Sequence, residues 1–249
     1  MSTFLSDGVE IYYEDQGEGE PIVLVHGFAS DLRRNWKDVG WFDWLTEAGY
    51  RVIALDCRGH GRSAKLYNTD DYTGLTMPGD VINLMDHLGL KTAFLMGYSM
   101  GGMIAARLVQ HHEERFRKVI LAGVGGSMLN AGRGDGSAIA DALLAESADD
   151  VKDPAARGFR TFAEASGADL RALATYMQAG RPVFVSGDFA ELTLPVLVVA
   201  GERDDLVGNP ADLAACFEGG RAVIVPRRDH LNTVGDKVYR QAVIEFLAE

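Results

Sequence analysis

Gly97-Tyr98-Ser99-Met100-Gly101 is the stretch that decides the fold. It follows a short apolar run at 93–96 and precedes a segment with Ile104, Ala105, Leu108 and Val109 at helical spacing. A serine with glycine two positions away on each side, set between strand and helix, has the form of a nucleophile elbow. Such a turn is tight and holds its serine in a strained backbone conformation. Side chains at the two flanking positions would collide there, which accounts for both glycines. The serine oxygen is then held at a helix N-terminus, where amide groups favour developing negative charge.

Outward from this turn, six short apolar runs punctuate the chain, at 22–25, 52–55, 93–96, 119–122, 196–200 and 222–225. Each is nearly continuous rather than alternating, the pattern of strands buried on both faces of a parallel sheet. Helical segments lie between most of them. Thr76 is the expected N-cap of one, with Pro78 in its first turn. The stretch 238–247 repeats apolar residues at helical spacing. Alternating strands and helices predict an α/β sheet covered on both faces. Residues 3–5 and 9–13, joined by Ser6-Asp7-Gly8, predict an antiparallel hairpin at the sheet edge. From about 126 to 190 the rhythm breaks, and helical stretches are expected at 137–146, 154–165 and 169–178. Glycines cluster at its entry (Gly123, Gly125, Gly126, Gly132, Gly134, Gly136) and read as a hinge. They lack the lysine and following hydroxyl residue of a phosphate-binding loop.

Composition narrows the partners. The 249 residues carry a formal net charge of -12 with no basic run, so nucleic acid and acidic membrane surfaces are not expected partners. Cys57 and Cys216 read as free thiols, and no cysteine or histidine cluster has metal-ligand spacing. The start, Met1-Ser2-Thr3-Phe4-Leu5, does not read as a signal peptide. No stretch approaches the ~20 apolar residues of a membrane span. A cytoplasmic location is the expectation.

Reactive residues of an open α/β sheet lie beyond the carboxyl ends of its strands. After 22–25 comes His26-Gly27-Phe28, and after 52–55 comes Asp56-Cys57-Arg58-Gly59-His60-Gly61-Arg62-Ser63. Ser99 follows the third run. Gly201-Glu202-Arg203-Asp204-Asp205 follows the fifth, and Pro226-Arg227-Arg228-Asp229-His230 the sixth. A serine hydroxyl needs a base to take its proton, and histidine suits that task because its ordinary titration range lies near neutrality. A buried carboxylate fixes the ring tautomer.

In this order the loops resemble those of α/β-hydrolase-fold serine hydrolases of the carboxylesterase type, over essentially the full length. The resemblance implies the α/β-hydrolase fold, with a mostly parallel central sheet, helices on both faces and a small helical cap. Residues 1–125 and 191–249 would form the core and 126–190 the cap. It implies Ser99, Asp204 and His230 as catalytic triad, family spacing favouring Asp204 over Asp205. The backbone amides of Phe28 and Met100 would form the oxyanion hole. No metal or organic cofactor is implied. Cleavage of a small-molecule carboxylic ester is the expected activity. Enol-lactone or carbon–carbon bond hydrolysis on the same triad, and a ligand-binding member without turnover, are the alternatives. Relatives with an aspartate nucleophile do not fit the serine at 99. Asp56, Arg58, His26 and His60 read as loop-bracing residues. Trp36, Trp41 and Trp44 read as packing, and the Phe28 ring as a possible pocket wall. Oligomeric state is not legible, since no sustained heptad is present.

Overall fold

The computed structural model describes residues 2–129, 136–180 and 182–249. Met1, Gly132 and Gly134, named above, lie outside the described residues. Among those described, eight strands make one sheet: β1 (Ser2–Ser6), β2 (Val9–Gln16), β3 (Glu20–Val25), β4 (Tyr50–Leu55), β5 (Ala93–Tyr98), β6 (Phe116–Ala122), β7 (Val196–Gly201) and β8 (Arg221–Val225). Their order across the sheet is β1-β2-β4-β3-β5-β6-β7-β8. The first two pairings are antiparallel, β1 with β2 and β2 with β4, so the predicted hairpin does sit at one edge. The remaining pairings are parallel.

Eight α-helices accompany the sheet among the described residues: α1 (Trp41–Glu47), α2 (Thr76–His87), α3 (Met100–His112), α4 (Ser137–Leu144), α5 (Pro154–Ser166), α6 (Leu170–Gln178), α7 (Pro210–Ala214) and α8 (Lys237–Ala248). Strand side chains alternate between faces. Val23, Val25, Leu95, Val119, Leu121 and Val196 pack with α2 and α3. Ile22, Leu24, Val52, Met96, Ile120 and Leu197 pack with α1 and α8. Burial on both faces removes any need for polar alternation, which is why the central strands read as continuous apolar runs. Trp36 and Trp41 are fully buried in the second layer, so both serve packing.

Two local expectations need correction. Residues 222–225 do form a strand, but β8 lies at the sheet edge and only Val225 is buried; Ile224 is 51% exposed. An apolar β-branched run reports strand propensity as well as burial, and here propensity dominates. Thr76 is the first residue of α2 rather than its cap. Leu75 takes the cap position without a side-chain bond, while the Thr76 hydroxyl donates to the Thr73 carbonyl at 3.0 Å.

Among its described residues the 126–190 stretch holds no strand and carries α4, α5 and α6. Asp153 and Asp169 cap α5 and α6, accepting from the amides of Ala156 at 2.7 Å and Ala172 at 2.9 Å. Gly167 closes α5 in the left-handed region at φ 66°. The buried Arg160 of α5 donates to the carbonyls of Ala142, Leu143 and Ala145. These are C-terminal groups of α4 that have no acceptor role within that helix, so one guanidinium locks α4 to α5.

Candidate active site

β5 ends at Tyr98 and α3 begins at Met100, so Ser99 makes the turn between them. Its backbone sits at φ 55°, ψ -111°, a region side-chain-bearing residues rarely occupy. The surroundings over-determine it. The Ser99 amide donates to the Ala122 carbonyl at 2.8 Å, and its carbonyl accepts from the Met103 amide at 3.1 Å. A Cβ at Gly97 would fall on the Gly101 carbonyl, and one at Gly101 would fall on the carbonyls of Val25 and His26. Both glycines therefore permit α3 to press against β5 and β3. That approach is what projects Ser99 above the sheet.

Asp204 and His230 reach Ser99 from loops beyond β7 and β8. Asp204 is buried, whereas the neighbouring Asp205 is exposed. The Nδ1–H of His230 donates to Asp204 Oδ2 at 2.7 Å. The other ring nitrogen, Nε2, then carries a lone pair and accepts from the Ser99 hydroxyl at 2.9 Å. The Leu206 amide donates to Asp204 Oδ1 at 3.2 Å, which engages both oxygens of the carboxylate. The two loops are stapled by backbone bonds, Glu202 to Val225 at 2.9 Å and Arg203 to Arg228 at 2.8 Å. The three side chains named from sequence thus meet in one hydrogen-bonded chain.

Met100 opens α3, where first-turn amides have no acceptor within the helix. Phe28 follows Gly27, and a Cβ on Gly27 would stand 3.4 Å from the Ser99 Cβ, so this loop lies directly against the serine. The loop is held from several sides. Asn35 Oδ1 accepts from the Gly27 amide at 3.0 Å. The Gly27 carbonyl accepts from His26 Nδ1–H at 2.7 Å and from the Ser30 amide at 3.2 Å. The half-buried Phe28 ring meets Tyr176 of α6 at 5.8 Å and Phe159 of α5 at 6.0 Å between centroids.

The residues read as braces do brace. His26 Nε2 accepts from the Cys57 amide at 2.9 Å. Asp56 accepts from the amides of Leu32 at 2.8 Å and Arg62 at 2.7 Å. Arg58 makes a two-pronged pair with Asp80 of α2, at 2.8 and 2.7 Å. His60 donates from Nδ1 to the Arg58 carbonyl at 3.0 Å, and its Nε2 has no partner among the described residues. Asn35, Asp80 and the phenol of Tyr98 were not legible as site residues. Their bonds link positions far apart in the chain and have no local signature.

His60 predicts acid sensitivity. Burial, with His26 as the next cause, pushes it from 6.5 down to about 3. Above about pH 6.5 neither folded nor unfolded chain protonates it. Below that value the unfolded chain binds the proton and the folded chain does not, so stability falls until about pH 3. The slope is about 1.4 kcal/mol per pH unit, or about 2 kcal/mol between about pH 7 and about pH 5. Burial shifts His26 in the same direction and steepens the loss. Urea unfolding at the two pH values checks this: His60→Asn should be less pH-sensitive than wild type by about 2 kcal/mol, and equal slopes would contradict it.

A cavity of about 500 Å³ lies beside this site rather than at it, with Ala29, Asp31, Arg34, Arg62, Lys65 and Gly167 among its lining residues. Its cations are largely matched locally, Arg34 by Asp31 and Lys37 by Glu14. Among the described residues no group of three His, Cys, Asp or Glu side chains is arranged to hold a metal, and no helix is long and apolar enough to cross a membrane.

Comparison with known proteins agrees with this fold. A family model described as "alpha/beta hydrolase fold" matches residues 20–133. A non-heme haloperoxidase of Rhodococcus erythropolis is 41% identical over 124 residues, 47% of this chain and 42% of that protein. A 2-hydroxy-6-oxo-6-phenylhexa-2,4-dienoate hydrolase of Comamonas testosteroni is 38% identical over 119 residues, 47% of this chain and 40% of that protein. These matches thus span about two-fifths of each relative's length. The crystal structure of the enol-lactonase from Burkholderia xenovorans LB400 superposes with a TM-score of 0.81 at 26% identity, covering 100% of both chains. The protein has the α/β-hydrolase fold.

Proposed function

We propose that the protein hydrolyses carboxylic esters of small molecules, open-chain or cyclic, through an acyl-serine intermediate. The observation that carries this reading is the Ser99–His230–Asp204 hydrogen-bonded chain at a strained turn. Ser99 Oγ attacks the ester carbonyl carbon as its proton passes to His230 Nε2. Asp204 holds the ring with Nδ1 protonated and stabilises the imidazolium. The amides of Phe28 and Met100 receive the oxyanion; loss of one such donor typically costs on the order of 10²–10³ in turnover. The carbon–oxygen bond to the alcohol breaks, and His230 returns its proton to that oxygen. Water, deprotonated by His230, then attacks the acyl carbon and frees Ser99 and the acid.

Residues 126–190 act in this reading as a cap over a core of 1–125 and 191–249. Phe159 and Tyr176 bring an apolar wall to the Phe28 ring, beside the amide that receives the oxyanion. That wall suits an uncharged acyl or alcohol group. A lactone needs the same attack and differs only in a tethered leaving group, and the likeness to an enol-lactonase over the whole chain supports including it. No cofactor enters the scheme.

The test is a panel of aryl esters of increasing acyl length together with lactones. Turnover of at least one class, with one oxygen from labelled water appearing in the released acid, is expected. A chain that binds these compounds but turns none over would instead be a ligand-binding member of the fold.

A further inference from the structure

We infer that Tyr98 is a positioning residue that sets the distance between Ser99 and His230, an inference that rests on the ester-hydrolase reading above. The Tyr98 hydroxyl donates to the backbone carbonyl of His230 at 2.6 Å, across 132 positions of sequence. Tyr98 is also the residue covalently joined to Ser99. One buried side chain therefore ties the main chain of the base to the residue next to the nucleophile.

The loop that carries His230 is stapled to the β7 loop through Arg203 and Arg228, and Tyr98 adds a bond from the end of β5. Arg227, Arg228, Asp229, Leu231 and Asn232 are all exposed. Most bonds inside the loop are local. Asp229 accepts from the amides of Leu231 and Asn232 at 3.0 and 2.8 Å, and its carbonyl accepts from Thr233 Oγ1 at 2.7 Å. These bonds define the shape of the turn but not its height above β5. The tie to β5 is the phenol.

The phenol itself is held in place. Its ring is buried and packs against Trp36 at 6.4 Å, Tyr239 at 6.5 Å and the His230 ring at 5.7 Å between centroids. Beneath it is Gly123, where a Cβ would come within 3.0 Å of Tyr98 Cε1 and 3.1 Å of the Ser99 amide nitrogen. Burial, reinforced by the charge of Asp204, pushes the phenol well above its ordinary range, so it keeps the proton it donates.

A displacement of about 1 Å at a reacting pair can cost on the order of 10²-fold in rate. Tyr98→Phe keeps the ring and removes the tie. Expected is a fall in kcat of roughly 10- to 100-fold with KM within about twofold, because the substrate-contacting groups are untouched. The rate of Ser99 labelling by a fluorophosphonate should fall in parallel. The downfield proton resonance of His230 Nδ1–H should broaden, which a purely structural role would not produce in a variant that melts near wild type. Para-aminophenylalanine at position 98 keeps a donor at the same point and should restore kcat to within about threefold of wild type. A folded Tyr98→Phe protein with unchanged kcat overturns the inference, whatever its melting temperature. If Tyr98→Phe does not fold, the amino variant decides: folded with kcat within about threefold of wild type supports the inference, and folded with kcat down by about tenfold or more overturns it. Ser99→Ala, run alongside, separates the two levels. Turnover within about tenfold of wild type there defeats the ester-hydrolase reading itself, while a larger loss with an unaffected Tyr98→Phe defeats only the role of Tyr98.

Discussion

Ser99→Ala should lower ester turnover by at least about 10⁴-fold while leaving the melting temperature nearly unchanged. The two halves of this expectation have separate physical grounds. Alanine keeps the Cβ and meets the same backbone strain at φ 55° that serine does, so the elbow neither gains nor loses much. The amide bond to Ala122 and the carbonyl bond from Met103 also remain. What disappears is the oxygen that His230 Nε2 faces at 2.9 Å. Residual rate would then come from the amides of Phe28 and Met100 and from substrate orientation alone, which together leave far less than the intact site supplies. A fluorophosphonate gives an independent readout: one adduct on wild type at Ser99 and none on the variant. Turnover within about tenfold of wild type in Ser99→Ala would remove the serine from the mechanism. Absence of labelling on wild type would show that the hydrogen-bonded chain does not activate it, and would favour a binding role.

The parts of the fold that sequence reveals are those enforced by local sterics or by burial. Gly97 and Gly101 are legible because backbone oxygens of α3 and β3 occupy the places where their side chains would be. The strands at 22–25, 52–55, 93–96, 119–122 and 196–200 are legible because both their faces are covered, and doubly covered strands have no polar alternation. β8 shows the limit of that inference, since its apolar run faces solvent at Ile224. The caps of α5 and α6 are single aspartates that helical spacing alone does not single out, since that spacing takes in Asp169 as the first residue of its helix. The convergence of Ser99, Asp204 and His230 is implied by the resemblance of the loops, in their order, to those of α/β-hydrolase-fold serine hydrolases, and their side chains do meet. The supporting bonds were not inferred. Asn35 to Gly27, Tyr98 to His230 and Arg58 to Asp80 each depend on a side-chain direction set by tertiary packing, and nothing periodic in the chain announces them.

The second large effect is one of stability, at Asp80. Its carboxylate meets Arg58 through two hydrogen bonds, and the side chains of the pair are only 5% and 2% exposed. Arg58 also donates to the Asp71 carbonyl at 2.7 Å, so its guanidinium is fixed in place by more than the ion pair. Asp80→Asn removes the charge and one acceptor while the guanidinium stays buried. Breaking a buried pair from one side typically costs about 3–5 kcal/mol, because the remaining charge has lost its counterion and cannot regain water. For a chain of this length that corresponds to a fall of roughly 10 °C in melting temperature. The loss shrinks in the double variant Arg58→Met/Asp80→Leu. Removing both charges removes the desolvation cost along with the attraction, and apolar replacements of similar volume are often neutral. The double variant should therefore regain more than half of the loss seen in Asp80→Asn, a comparison that thermal melts resolve directly. Neither side chain contacts Ser99 or His230, so fluorophosphonate labelling of the folded fraction should proceed at the wild-type rate in both variants. A single variant that loses less than about 1 kcal/mol would mean water reaches Arg58 in solution. A double variant no better than the single would mean the loop 56–63 needs the guanidinium's hydrogen bonds rather than its charge balance.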